Sequence, residues 1–218
     1  MASVRDRQEA LFGRGEGVER IAFFSDAVFA IALTLLVLDI RLPEGLDDAD
    51  VGAAIVQLWP QFFAYGLTFI VLGLNWVSHH RKYRVIERFD TRFVWLNLLY
   101  LAFVALAPFP TSVISEYATA ASVTLYAVQV AMLGILQGLI WWYAHRNGLL
   151  AKSVDEGIYR YQLAGSLVTP VVFLATIPIA VFVSPAAAIW SWLSLIVIGP
   201  LVDRITQRRV DRGGTEPA

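Results

Sequence analysis

At 218 residues, 57% hydrophobic and only 16% charged, with a mean hydropathy of +0.61, the chain departs from the roughly one-quarter charged composition of soluble domains and reads as an all-α membrane protein. Its 17 Lys and Arg against 18 Asp and Glu leave a net charge of −1, so there is no basic field to hold nucleic acid. The absence of Cys removes disulfides, thiolate metal sites and a cysteine nucleophile, and with them a redox role.

The first 20 residues mix Arg5, Arg7, Arg14 and Arg20 with Asp6, Glu9, Glu16 and Glu19. This is not the basic start of a cleaved signal, and no small-residue cleavage site follows. Residues 1–20 are therefore expected to be a cytoplasmic segment ahead of a six-helix transmembrane domain over 21–202. Six apolar stretches make up that domain: Ile21–Ile40, Ala54–Val77, Phe93–Ile114, Thr119–Ala144, Leu163–Val183 and Pro185–Val202. Each is near the ~20 residues that cross ~30 Å of hydrocarbon. Only Ser184 with Pro185 separates the last two, which predicts a tight helical hairpin. The polar stretch 203–218 reads as a disordered cytoplasmic tail.

Charge placement orients the six stretches. The segments before, between and after them carry, in order, 4, 1, 5, 0, 3, 0 and 4 Lys and Arg, so every basic residue lies outside the spans and all but Arg41 fall on one side. The positive-inside rule puts that side, and both termini, in the cytoplasm. The other side carries Arg41 with Glu44, Asp47, Asp48, Asp50 and Glu116, an acidic surface that mildly concentrates cations, although such loops are usually just solvated.

The first stretch holds polar residues a plain anchor would lack: Ser25 and Asp26 near its cytoplasmic end, Thr34 at mid-membrane and Asp39 at the outer end. An intramembrane carboxylate costs a few kcal/mol unless paired or hydrated, so Asp26 needs partners. At about 100° per residue, Arg20, Phe24, Ala27, Ile31, Leu35 and Leu38 form one stripe and Asp26 lies about 140° from Ile31. At the depth of Asp26 the second stretch ends in Asn75, Trp76, His79 and His80, followed by Arg81, Lys82 and Arg84. A hydrogen-bonded clamp between the helices is the first reading of this group, a proton relay through His79 or His80 the second, and a metal site on two adjacent histidines the weakest.

The run from Arg20 through Phe24-Ser25-Asp26 to Leu38, followed by Trp76 and His79-His80, resembles the bacterial branch of the transmembrane protein 175 family, the endosomal and lysosomal potassium channels. Detailed agreement is confined to the first span and the second-to-third connection, while the layout of six spans with both ends inside covers nearly the whole chain. The resemblance implies a potassium-permeable channel in which first helices line a central pore. Lysosomal members carry two six-helix units per chain and work as dimers, so a single unit implies a homotetramer. By motif position the family's constriction falls on Ile31, Leu35 and Leu38, three residues of the stripe already drawn, which four copies would turn into a narrow apolar neck. Without the motif, Ile and Leu at this spacing are usually plain core.

The resemblance also associates Thr34 with potassium preference, although a mid-helix threonine commonly bonds back to its own preceding turn. Arg20, Phe24, Ser25 and Asp26, with Trp76, His79 and His80, are expected to form the structural signature that holds the first helix against the second and third. No Thr-Val-Gly-Tyr-Gly-type filter is present.

The remaining features speak to packing. Gly134-x-x-x-Gly138 predicts a close helix contact, Pro60, Pro108, Pro110, Pro170 and Pro178 predict kinks or helix ends, and the seven Trp fall mostly near span ends as an interfacial belt would. Two rival functions are a proton-coupled secondary transporter using Asp26 and His79 or His80, and an intramembrane enzyme. The first lacks inverted repeats and broken midplane helices, and the second lacks a nucleophile with its base or metal set. The expectation is a non-enzymatic channel with no cofactor and no metal beyond permeating potassium. Its partners are the lipid bilayer, its own copies and monovalent cations, and its location is a bacterial plasma membrane.

Overall fold

The computed structural model describes residues 16–195. Most of the 1–20 segment, the end of the sixth apolar stretch and the 203–218 tail lie outside the described residues. Helix α1 (Glu16–Leu35) continues as a 3-10 turn over Leu36–Asp39. A short helix, α2 (Val51–Gln57), precedes the long α3 (Trp59–Tyr83). Next come α4 (Thr91–Leu106), α5 (Pro108–Glu116), α6 (Ala120–Arg146), α7 (Glu156–Phe182) and α8 (Pro185–Ser191), the last running into a 3-10 turn at Trp192–Ser194.

Five segments among the described residues are long and apolar enough to cross a membrane: Gly17–Asp39, Trp59–Tyr83, Thr91–Glu116, Ala120–Arg146 and Glu156–Phe182. The sixth stretch enters the described residues only as α8 and its 3-10 turn. The second span begins at Trp59 rather than Ala54, because Pro60 in its first turn starts a new helix and leaves 54–57 to α2. The third is broken at Ala107, where Pro108 cannot continue the ladder. The fifth reaches back to Glu156, which pairs with Arg160 one turn on at 2.7 Å, while Asp155 accepts a cap bond from the Ile158 N–H.

Side-chain caps mark the starts of α4, α6 and α8. Asp90 accepts from the Phe93 N–H at 2.7 Å, Thr119 and Ser122 form a reciprocal box, and Ser184 accepts from the Ala187 N–H. Asp90 also accepts from Tyr143 Oη at 2.5 Å, which ties the start of α4 to the end of α6. The loops beside these ends pair through Ala151 N to Val85 O at 2.8 Å and Glu87 N to Leu149 O at 3.0 Å.

Helix α6 is the centre of the bundle, and two apolar cores flank it. One is built from α1, α4 and α6 around Phe29, Leu36, Tyr100 and Leu133, and the other packs Tyr126, Phe173 and Trp192. Helices α6 and α7 approach closely at Gly134. A Cβ there would lie 2.5 Å from Pro170 Cγ and 2.8 Å from the Ser166 carbonyl oxygen. Pro170 has no N–H for that carbonyl, so the α7 backbone is open where α6 offers no side chain. Gly138 faces ordinary contacts, with Ser166 Cβ 3.6 Å from where its own Cβ would be. The Trp belt is incomplete: Trp141 and Trp192 are buried, each donating its indole N–H inside the fold, to Tyr159 O and Thr176 Oγ1.

Candidate functional site

Helix α1 has two faces of opposite fate. Ser25, Phe29, Ala32 and Leu36 recur at helical spacing and are buried, with Phe29 and Leu36 1% exposed. About 140° around the helix, Ile31, Leu35 and Leu38 are 58%, 42% and 52% exposed. The stripe is therefore not protomer core; the core-facing residues of α1 are a different set. A face this apolar must be covered by lipid or by further copies of the chain.

The change to 3-10 geometry after Leu35 alters the stripe. With 3.0 residues per turn, Leu38 returns directly over Leu35, and with a rise of about 2.0 Å per residue the distance from Ile31 to Leu38 becomes about 12 Å instead of the 10.5 Å of a continuous α-helix. Thr34 is exposed on the same side, and its hydroxyl donates to the Ile31 carbonyl at 2.9 Å. That bond uses the hydroxyl proton, so the exposed oxygen keeps its lone pairs as acceptors.

Behind the stripe, polar groups lock α1 to α3 and α4. The Trp76 indole donates to Asp26 Oδ1 at 2.8 Å. Ser25 is fully buried; its hydroxyl donates to Ile21 O at 2.8 Å and accepts from Asn97 Nδ2 at 3.1 Å. Asn97 Oδ1 in turn accepts from Tyr83 Oη at 2.7 Å and lies 3.3 Å from His79 Nε2. His79 is buried and stacked on Tyr83, with ring centroids 3.9 Å apart. Two separate contacts therefore hold α1, Asp26 with Trp76 and Ser25 through Asn97 with Tyr83 and His79. Arg20 and Phe24 are exposed and stand apart from both, and His80 is exposed with its ring 5.6 Å from Trp76. Asn97 was missed in the sequence; its only signal there was an amide in an otherwise apolar run.

A second polar cluster was also missed. Lys82 is not outside the membrane helix in a basic run: it is 3% exposed, inside α3, because its side chain reaches back into the bundle. Its Nζ donates to Gln137 Oε1 at 3.0 Å and to Ser166 Oγ at 2.5 Å. Ser78 Oγ donates to the same Gln137 oxygen at 2.8 Å, and Gln137 Nε2 donates to Asn75 O at 3.1 Å. A cavity of about 390 Å³ lies beside the cluster, bordered by Asn75, Ser78, Gln137 and Ser166. Among the described residues no three His, Asp or Glu gather as a metal site.

A model of the family described as endosomal/lysosomal potassium channel TMEM175 matches residues 20–108, which hold α1, the network helices α3 and α4, and the loops between them. A protein from Chamaesiphon minutus described as a potassium channel is 36% identical over 144 residues, 63% of this chain and 71% of its own. The chain belongs to the TMEM175 family. A further TMEM175 relative, described as a potassium channel from Streptomyces collinus, is 36% identical over 136 residues, covering 60% of this chain and 66% of that protein. In structure, the crystallised lysosomal potassium-selective channel TMEM175 homologue of Chamaesiphon minutus superposes with a TM-score of 0.58 at 29% identity, over 82% of this chain and 97% of that one.

Proposed function

We propose that this TMEM175-family chain is the subunit of a potassium-permeable cation channel. Four copies of a six-span unit, with both termini cytoplasmic, surround a pore lined by α1, and Ile31, Leu35 and Leu38 form its apolar constriction. The observation that carries this reading is the uncovered aliphatic face of α1, with Leu38 turned over Leu35 by the 3-10 end, while the opposite face of the same helix is packed. Relatives described as potassium channels support the choice of ion. An apolar neck admits a cation at the cost of part of its hydration shell, and potassium gives up water more readily than sodium. Thr34, with its lone pairs free beside the neck, is the residue assigned to ion preference.

In this reading Asp26, Trp76, Ser25 and His79 hold α1 in place rather than carry protons. The chain works as a multi-pass protein of a bacterial plasma membrane, needs no cofactor and catalyses no reaction. The test is the reversal potential of the purified protein in a planar bilayer under a potassium/sodium gradient, repeated with Leu35→Ala and Leu38→Ala. A passive current reversing toward the potassium potential is expected, with larger conductance and weaker preference in both variants. Assembled variants with unchanged currents would overturn the constriction. Flux that runs only with a proton gradient would instead establish a proton-coupled carrier.

A further inference from the structure

We propose that Arg41 forms a cationic collar at the outer mouth of the pore, which limits cation access and makes conductance depend on salt. The proposal rests on the pore-lining role of α1 argued above. The 3-10 turn ends at Ile40, whose backbone is extended at φ −85° and ψ 94° and whose N–H takes the Val37 carbonyl. The Arg41 side chain folds back from there, and its Nε donates to the Leu38 carbonyl at 2.6 Å. The guanidinium therefore sits over the end of the helix and immediately beyond the last residue of the stripe, rather than reaching into the acidic loop that carries Glu44, Asp47, Asp48 and Asp50.

Two further observations make this charge count. Among the described residues both ion pairs use Glu156, so no carboxylate there lies within ion-pair distance of Arg41, which is exposed. Arg41 is also the lone basic residue among the 17 on its side of the six-span arrangement. A bare helix end carries about half a negative charge on its free carbonyls and would draw cations in. Here that carbonyl is capped by a full positive charge, which offsets the negative helix end and the Asp39 carboxylate of the same turn.

The size of the effect follows from geometry. Helices about 10 Å across, grouped four around an axis, put a guanidinium over each helix end about 7 Å from the permeation path. With four charges at that distance in water and Debye lengths of about 30, 8 and 3 Å, removing them raises cation access roughly twentyfold at 10 mM salt, about fivefold at 150 mM and about 1.5-fold at 1 M.

The experiment is single-channel potassium conductance of the reconstituted protein carrying Arg41→Gln, at those three salt concentrations, with Arg41→Lys and Leu35→Ala alongside. Conductance per channel is independent of how much protein assembles, and Arg41→Lys keeps the charge while losing the planar fork. The expected result is a rise in Arg41→Gln that is largest at low salt and falls more than tenfold by 1 M, with Arg41→Lys close to the parent. If Leu35→Ala changes conductance while Arg41→Gln does not, or does so equally at all salts, the collar is wrong and the pore assignment stands. If neither changes it, the pore assignment fails and the collar falls with it.

Discussion

Replacing Gly134 by Ala tests the close packing of α6 on α7. The added methyl carbon would lie 2.5 Å from Pro170 Cγ and 2.8 Å from the Ser166 carbonyl oxygen, where ordinary contact begins near 3.4 Å. Helix α7 would have to withdraw by about 0.6 to 0.9 Å. Neither neighbour is the free end of a flexible side chain: one belongs to a ring fused to the backbone and the other is backbone itself. Overpacking of this kind costs about 1–3 kcal/mol, against which the better helix propensity of Ala returns up to about 1 kcal/mol. A net loss of about 1–2 kcal/mol corresponds to a drop of about 2–8 °C in Tm for a chain of this size. Gly138→Ala is the matched control, since its new carbon meets Ser166 Cβ at 3.6 Å and needs no movement. Thermal unfolding of both variants in the same detergent decides between them. A Gly134→Ala protein as stable as the parent, or a Gly138→Ala protein that is the less stable of the two, would refute the close α6–α7 approach.

Lys82→Met should leave stability unchanged or raised, because it removes a buried cation and keeps the volume, whereas Gln137→Leu with Lys82 retained should cost about 2–3 kcal/mol by stripping the ammonium of a partner; urea or thermal unfolding of the two variants gives the comparison. Thr34→Val keeps the shape of the side chain and removes the oxygen, so potassium-over-sodium preference should fall while conductance persists, and Thr34→Ser should restore the preference; bi-ionic reversal potentials read both.

Much of this protein was legible in its residues. Composition made it a helical membrane protein, the spacing of apolar stretches located five spans to within a turn or so at most ends, and the motif from Arg20 to Asp26 with Trp76 and His79-His80 led to the family. The stripe of Ile31, Leu35 and Leu38 was readable because helical periodicity is a local property, repeated every 3.6 residues whatever lies around it. The pairing of Asp26 with the end of the second span followed from depth, since two antiparallel helices linked by one loop bring the start of the first and the end of the second to the same level.

Which face of α1 is packed, and against what, depended on the tertiary structure. Periodicity separates faces but does not say which one meets a neighbour, and only the contacts of Phe29 and Leu36 show that the Ile31 face is the uncovered one. Arg20 and Phe24 share the motif with Ser25 and Asp26 yet point elsewhere, because adjacent helical residues differ by about 100°. Asn97 and Lys82 reach their partners across 72 and 84 residues of chain, so no local pattern announces them. The 3-10 end of α1, which sets Leu38 over Leu35 and folds Arg41 onto the Leu38 carbonyl, is likewise a product of how the helix ends against its surroundings. Propensity and hydropathy are summed along the chain, whereas a buried hydrogen bond is made between segments distant in it, and only the assembled bundle brings those segments together.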